Sequence, residues 1–472
     1  MLVILIVSKA GGFLLHIPHI INMNTFVDYR KFIRGREYNR MFLKTTAVLR
    51  DAVDFLIRVC DDEWTEISAV TGEKRRRSHI EKLVHGTKGN VPKYVDFDTK
   101  FYKLPSYLRR DAISKAVGKV STYRKALDAW NASDPKTRGK KPAFPKAGHS
   151  YPCLFRDGMY VENGMYSAKI KVFIRNTWDW ITVPLRKSDV DYITKNCHGL
   201  KESAPTLMKR GKRWCLEFMY TVPSELKDVS DYKDTVIIAV DLGLNNNAVI
   251  SVMKSDGTIL GREFLKLPKE TDRLDHQTGR IRKAQKHGSY RTPRLWALTK
   301  GTNDRISVLT AQFIVDTAMK YKADIIVMEH LDVSGKKRGS KKQRLHHWRC
   351  QYIQDMVESK AHRQGVRISR VCAWGTSRLA FDGSGRVSRG EYTTPDGAVR
   401  YNYSICTFTT GKQYHCDLNA SYNIGARYFV REISKSMPAT AWQDLSAKVP
   451  GALKRSTCTL STLISLNAVL TA

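Results

Sequence analysis

Three carboxylates stand where a folded chain has little structural use for them. Asp241 ends the run Val236-Ile-Ile-Ala-Val-Asp241, whose five apolar residues, four of them β-branched, read as a strand buried on both faces. Glu329 ends a second such run, Ala323-Asp-Ile-Ile-Val-Met-Glu329. Asp417 opens a helical pattern, Asp417-Leu-Asn-Ala-Ser-Tyr-Asn-Ile-Gly-Ala-Arg-Tyr428. Singly, each is an ordinary strand end or cap. Brought together, they would repel and would not all ionise unaided. Divalent cations remove that conflict, and hard Mg2+ prefers oxygen ligands. Two such ions can activate a water, clamp a scissile phosphate and stabilise the leaving 3′ oxygen. The chemistry expected of Asp241, Glu329 and Asp417 is therefore metal-assisted phosphodiester hydrolysis, with Asn419 supporting the ligands from behind and Gly243 letting the chain turn or another group approach closely.

That chemistry needs a fold that gathers the three. After residue 236, the pattern gives strands at 236–241, 248–253 and 259–265, with the Ser255-Asp256-Gly257 turn joining the last two. A basic stretch over 273–294 precedes a helix at 303–321, the strand ending in Glu329, a helix at 346–364 and a strand at 366–372. A Gly- and Thr-rich stretch then runs irregularly to Gly411, ahead of the helix opened by Asp417. In an RNase H-like fold the first and fourth strands lie side by side, and the last helix crosses their ends. This element order would bring Asp241, Glu329 and Asp417 into one cluster.

Upstream, amphipathic helices are expected at 37–61 and 105–130, with Phe42, Leu49, Val53, Leu56 and Cys60 lining the first. Between them, Glu73-Lys-Arg-Arg-Arg77 reads as a solvated basic run or a phosphate contact. The Pro- and Lys-rich segment 133–148 is a linker. Alternating runs from 150 to 228, with turns at 161–165 and 208–214, predict a small antiparallel barrel, a shape that often holds nucleic acid. Residues 1–22 are apolar but broken by Lys9, Gly11-Gly12 and Pro18, and the run Leu2–Val7 is too short to span a bilayer; the segment is expected to be translation from an upstream start or a peripheral strand. From residue 437 the periodicity is weak and a peripheral tail is expected.

Lys and Arg number 80 against 45 Asp and Glu, a formal net charge of +35. That excess sets the chain apart from ordinary cytosolic enzymes and suits a polyanion partner. Nucleic-acid contact is expected from Arg273, Arg280, Arg282, Lys283 and Lys286, and from Lys336, Lys337, Arg338, Lys341 and Lys342 in a loop next to Glu329. Trp214, Trp296 and Trp348 are read as core residues, with base stacking the alternative. The nine cysteines include no CxxC pair, which argues against a disulfide framework and for a reducing compartment.

The segments Ala239-Val-Asp-Leu-Gly-Leu-Asn245, Ile326-Val-Met-Glu-His-Leu331 and Asp417-Leu-Asn-Ala-Ser-Tyr-Asn-Ile424 resemble the three split RuvC motifs of TnpB proteins and the related compact type V CRISPR effectors. Gly375-Thr-Ser377, Pro105-Ser-Tyr-Leu-Arg-Arg110 and Lys141-Pro-Ala-Phe-Pro145 resemble further pieces of that family, over about residues 35–430. The resemblance implies an RNA-guided DNA endonuclease whose partners are a guide RNA and a target DNA, read beside a short flanking motif, and whose catalytic ligands for two Mg2+ ions are Asp241, Glu329 and Asp417. It implies a multidomain α+β chain: a wedge β-barrel (23–34 and 146–232), a helical recognition lobe with linker (35–145), a RuvC nuclease domain (233–373 and 413–436), an insert (374–412) and a tail (437–472). The family's two CxxC pairs are missing from the insert, where only Cys406 remains in place, so zinc is not expected. Phe381, Tyr392, Tyr401, Tyr403 and Phe408 are expected to hold the insert by packing, and His415 to lie on the surface. The expected setting is the prokaryotic cytoplasm, with no membrane association, as a monomer or dimer. The alternatives are an RNA-guided DNA-binding repressor that no longer cuts, and an RNA-independent, structure-specific nuclease.

Overall fold

The computed structural model describes residues 21–472 apart from 136–137, 227–228, 230, 244–245, 332–348, 395–396, 450, 453 and 455. The loop cations Lys336, Lys337, Arg338, Lys341 and Lys342, together with Trp348 and the first 20 residues, therefore lie outside the described residues. The chain forms two compact units, Phe26–Val222 and Pro223–Ala472, the latter with Ile21–Thr25. Among the described residues no helix is long and apolar enough to cross a membrane.

In the unit Phe26–Val222, strand β1 (Ile21–Phe32) leads into helix α1 (Asn39–Asp62), followed by α2 (Trp64–Ala69), α3 (Glu73–Val84), α4 (Asp96–Lys100) and α5 (Ser106–Ala132). Then come β2 (Tyr160–Glu162), β3 (Ser167–Ile174), β4 (Thr177–Pro184), α6 (Lys187–Asn196), β5 (Lys201–Glu202), β6 (Thr206–Arg210) and β7 (Arg213–Leu226). The helices and strands share one core, in which Phe42, Leu49, Leu56 and Leu108 are fully buried beside Ile170 and Phe218. The basic run at 73–77 is the first turn of α3, anchored by the buried Ile80 and Val84.

Among the described residues the strands do not close into a barrel. One sheet has the order β1-β7-β5 with β6 on β7, and a second has β2-β3-β4. An isolated bridge from Ile33 to Leu185 joins the ends of β1 and β4, and another, Cys153 to Thr206, sets the segment before β2 against β6. Pro184 ends β4 and has no N–H to extend a ladder. The chain then turns into α6 after Arg186.

In the second unit, β8 (Ile237–Asp241), β9 (Ala248–Met253) and β10 (Ile259–Leu265) form an antiparallel run. Helices α7 (Pro268–Lys286) and α8 (Pro293–Lys320) follow, each with Pro in its first turn, where the missing N–H costs nothing. That start for α8 is ten residues earlier than periodicity suggested. Next are β11 (Ile325–His330), α9 (Cys350–Arg363) and β12 (Arg367–Cys372). The sheet order is β10-β9-β8-β11-β12, with β8, β11 and β12 parallel. The stretch expected to be irregular contains a ribbon, β13 (Ser388–Thr393) against β14 (Val399–Thr407), with β15 (Gln413–His415) at its side. Helix α10 (Cys416–Lys435) crosses the sheet, and α11 (Ala439–Lys448) and α12 (Leu460–Thr471) follow. The expected peripheral tail is instead packed: Cys458, Leu463 and Leu466 are fully buried in the core shared with α10.

Candidate functional site

Parity along the strands decides where the carboxylates point, because successive side chains of a strand alternate between faces. Ile237, Ala239, Ile325 and Val327 belong to the core under α10. Ile238, Val240, Ile326 and Met328 belong to the opposite core, with α8 and α9. Asp241 and Glu329 continue the first series, so both face α10. Met328 pairs with Val240 in the parallel register, which sets Glu329 beside Asp241 one step further along.

Helix α10 brings the third carboxylate. Its second residue is Asp417. Gly425 lets the helix settle onto the sheet: a Cβ there would stand 3.1 Å from the Ala239 Cβ and 3.0 Å from the Met253 Cε. From that contact the helix runs back about 12 Å to Asp417, past the end of β8. Gly243 is needed for a close approach too, since a Cβ would come within 2.7 Å of the Asn246 carbonyl oxygen.

Asp241 feels the other two carboxylates. Burial, then the charges of Glu329 and Asp417, push the Asp241 carboxyl well above the usual carboxylate range, with Arg389 of β13 the cation working against them. Burial also raises Glu329, opposed by a hydrogen bond from Thr376 and by the Arg427 guanidinium. Thr376 Oγ1 donates to Glu329 Oε1 at 2.5 Å. Asn246 Nδ2 donates to Asp417 Oδ2 at 2.6 Å. His415 is not a surface residue: half-buried, it caps α10 by accepting from the Leu418 N–H at 3.3 Å and sits edge-on to Phe264.

An all-oxygen donor set in which Glu329 and Asp417 raise the Asp241 pKa fits a hard divalent cation. The set is gathered but not converged. Among the described residues, no group of three or more His, Cys, Asp or Glu side chains stands close enough to hold an ion. Thr376 and Asn246 each hold one oxygen of Glu329 and Asp417, which leaves the other oxygen of each carboxylate for an ion.

Residues 29–174, less than half of the chain, match the model of the Aq_aa04 family. None of the curated proteins matches the sequence. Among solved structures, the chain is similar to a Cas12f1–sgRNA–target DNA complex, at 14% identity over 85% of this chain and 98% of that one with a TM-score of 0.30. It is similar to the mini-RNA-guided endonuclease CRISPR-Cas_phi3 at 10% identity, over 89% and 93%, with a TM-score of 0.44. It is also similar to Alicyclobacillus acidoterrestris C2c1 in complex with single-guide RNA, at 10%, over 84% and 68%, with a TM-score of 0.33.

The other expected residues are placed as follows. Arg273, Arg280, Arg282, Lys283 and Lys286 are all exposed on α7, which buries Thr278 and Ile281 instead. Trp214 is a core residue, 6% exposed, and Trp296 is 40% exposed. Asn419 does not support the carboxylates. It holds the insert's first loop, accepting from the Phe381 N–H and donating to the Leu379 carbonyl, both at 2.8 Å. Phe381 and Phe408 pack on each other as expected, but Tyr401 and Tyr403 are 72% and 67% exposed. The side chain of Tyr392 lies outside the description. None of the nine cysteines is in a disulfide.

Sequence reasoning missed Asn246, Thr376 and Arg427. Arg427 is 4% exposed, and its guanidinium donates to the carbonyls of Cys372, Trp374, Ser456 and Cys458 at 2.7, 2.8, 2.5 and 3.2 Å. The available signal was a lone Arg inside an otherwise apolar helical stretch. For Thr376 the signal was its place inside Gly375-Thr-Ser377, a segment already singled out, though with no role given to the hydroxyl; for Asn246 it was nearness in sequence to Asp241.

Proposed function

We propose that this chain is an RNA-guided, Mg2+-dependent DNA endonuclease of the TnpB and compact type V kind, with Asp241, Glu329 and Asp417 holding two Mg2+ ions. What carries the reading is one observation: carboxylates from three distant segments face the same side of adjacent central strands, at the end crossed by the helix that bears the third. The motif resemblance of the same three segments and the +35 charge support it. When bound, the ions would polarise the scissile phosphate and lower the pKa of the attacking water. The chain's own residues do the positioning. The strand register fixes Asp241 beside Glu329, Thr376 orients Glu329, and Asn246 orients Asp417. Arg389 adds positive charge on the Asp241 side, where a phosphate must come. The guide RNA and target DNA belong to this proposal, as does the wedge-and-lobe naming of the first unit.

The test is to purify the chain with its native flanking DNA transcribed, sequence the RNA that copurifies, and assay the complex on matched DNA. A discrete RNA, cleavage that stops with EDTA, and loss of cleavage in Asp241→Ala with RNA binding kept within a few-fold are expected. No enriched RNA ends the guided part of the reading, and normal cutting by Asp241→Ala removes that residue from the metal site. A second reading, an RNA-guided DNA-binding repressor, draws on the unconverged carboxylates. It predicts the same RNA and tight DNA binding, with no cleavage at any Mg2+ concentration.

A further inference from the structure

The unit Phe26–Val222 carries a cavity of about 750 Å3 that the carboxylate site does not use. Its walls are the end of β1 with the loop after it, the first residue of α1, the residue before α6, and the β6–β7 hairpin. Gly211, at a φ of +60°, makes the tight turn of that hairpin. Six cations line the cavity: Arg34, Arg36, Arg186, Lys209, Lys212 and Arg213. Arg186 is answered by Asp189, and Lys209 by the Asn39 side-chain oxygen. Among the described residues, Arg34, Arg36, Lys212 and Arg213 have no ion-pair partner. Like charges confined together repel, and an anion relieves them.

The aromatic walls say which part of a ligand is read. Arg186 and Arg213 stand over the Phe32 ring, 5.1 and 5.0 Å from its centroid. Lys209 stands 5.6 Å from the Trp214 centroid, and the Trp214 indole N–H donates to Asn39 at 3.0 Å. These contacts cover the ring faces and hold the cations in place. Little ring surface is left for a base to stack on, and what is presented is charge. The volume falls in the range of small-molecule sites, roughly 300–1,000 Å3, which admits one nucleotide and not a duplex.

We propose that this pocket binds the terminal phosphate of a single nucleic-acid strand, independently of base. A phosphomonoester carries nearly twice the charge of an internal phosphodiester, so the four unanswered cations favour an end over a passing backbone. The proposal does not depend on the nuclease reading.

The test is fluorescence anisotropy with the full chain and a short internally labelled single strand, bearing a 5′-phosphate, a 3′-phosphate or neither, in RNA and DNA versions. At physiological salt, a terminal phosphate is expected to tighten binding about tenfold, equivalent to about 1.4 kcal/mol. Arg36→Ala combined with Lys212→Ala, both at exposed positions, should abolish that gain, leave the unphosphorylated strand within about twofold, and leave the thermal melt unchanged. Arg213→Ala should do the same if the first pair perturbs folding. Whichever sugar and end show the gain identify the strand and support the proposal. Equal binding of phosphorylated and unphosphorylated strands, or equal losses for both in the variants, would overturn it in favour of a general backbone surface. Competition by free AMP at the strand's own concentration would overturn it in favour of a free nucleotide.

Discussion

Asp241 makes the most direct pH-dependent claim. Its folded-state pKa is raised by burial and by Glu329 and Asp417, so the folded chain holds the proton more readily than the unfolded one. The linked stability is full below the unfolded pKa and is lost as pH rises through the folded value. In EDTA, Asp241→Asn should therefore melt above the parent at pH 8 and level with it near pH 3. With Mg2+ at pH 8, the parent should gain melting temperature by mass action and the variant should gain none. A variant that melts below the parent at pH 8 would show that the buried charge is not the cost described. Thr376→Val keeps the shape but removes the donor to Glu329. It should lower the cleavage rate about tenfold, the worth of one hydrogen bond to a charged group. Without that bond the Glu329 pKa rises, so the acid limb of the pH–rate profile moves to higher pH. An unmoved limb would make Thr376 merely structural. The triad was legible in the sequence because a carboxylate ending a doubly buried strand breaks an otherwise apolar run. Thr376 and Asn246 were not legible, because a hydroxyl or amide in a loop breaks no pattern until its partner is seen.

At the scale of elements, the site depends on how closely α10 lies on β8. Gly425→Val pushes a branched side chain into Ala239, whose strand backbone cannot yield. The expected cost is about 1–3 kcal/mol in a urea melt, with Asp417 displaced and Mg2+ affinity reduced. A variant of unchanged stability would show that the helix has room to lift. The β13–β14 ribbon makes the opposite prediction. Tyr401 and Tyr403 are exposed, so Tyr401→Ala with Tyr403→Ala should change stability by no more than about 0.5 kcal/mol. Binding of single-stranded DNA should nevertheless weaken by about 1–3 kcal/mol for each base that stacks on them, measured by titration with a metal-free chain. The ribbon was hidden from sequence reading because Val399 to Tyr403 are exposed on both faces, leaving no alternation of apolar and polar residues. Helix α12 was hidden for the converse reason. Leu460-Ser-Thr-Leu-Ile-Ser-Leu-Asn-Ala-Val-Leu470 is apolar nearly all round, so no single face stood out even though Leu460, Thr462, Leu463 and Leu466 are the buried ones. The central strands, by contrast, were found nearly to the residue, because their burial on both sides is written in consecutive β-branched residues.

Over the whole molecule, charge is the dominant fact. A chain at +35 that neutralises many phosphates should lose affinity steeply with salt, by about 10³–10⁵ between 50 and 200 mM for six to ten contacts. Reversing Arg280 and Lys283 on α7 to Glu should reduce that slope in a salt titration. An unchanged slope would leave α7 a merely solvated face. The barrel expectation failed at this scale because closure depends on a ladder between strands far apart in sequence, which alternation within each strand does not report: β1 and β4 meet only at their ends, where the Arg34 N–H donates to the Pro184 carbonyl and the Arg186 N–H to the Phe32 carbonyl. Arg427 has a consequence of another kind. Two of the four carbonyls it binds, those of Ser456 and Cys458, follow it in the chain by about thirty residues. During synthesis α10 leaves the ribosome first, carrying a guanidinium with half its acceptors still unmade. The loop that bears Thr376 therefore locks late, and any nick or truncation between 436 and 455 would strand a buried cation beside the carboxylates. Such a product would keep every ligand of the candidate site and still lack its finished shape.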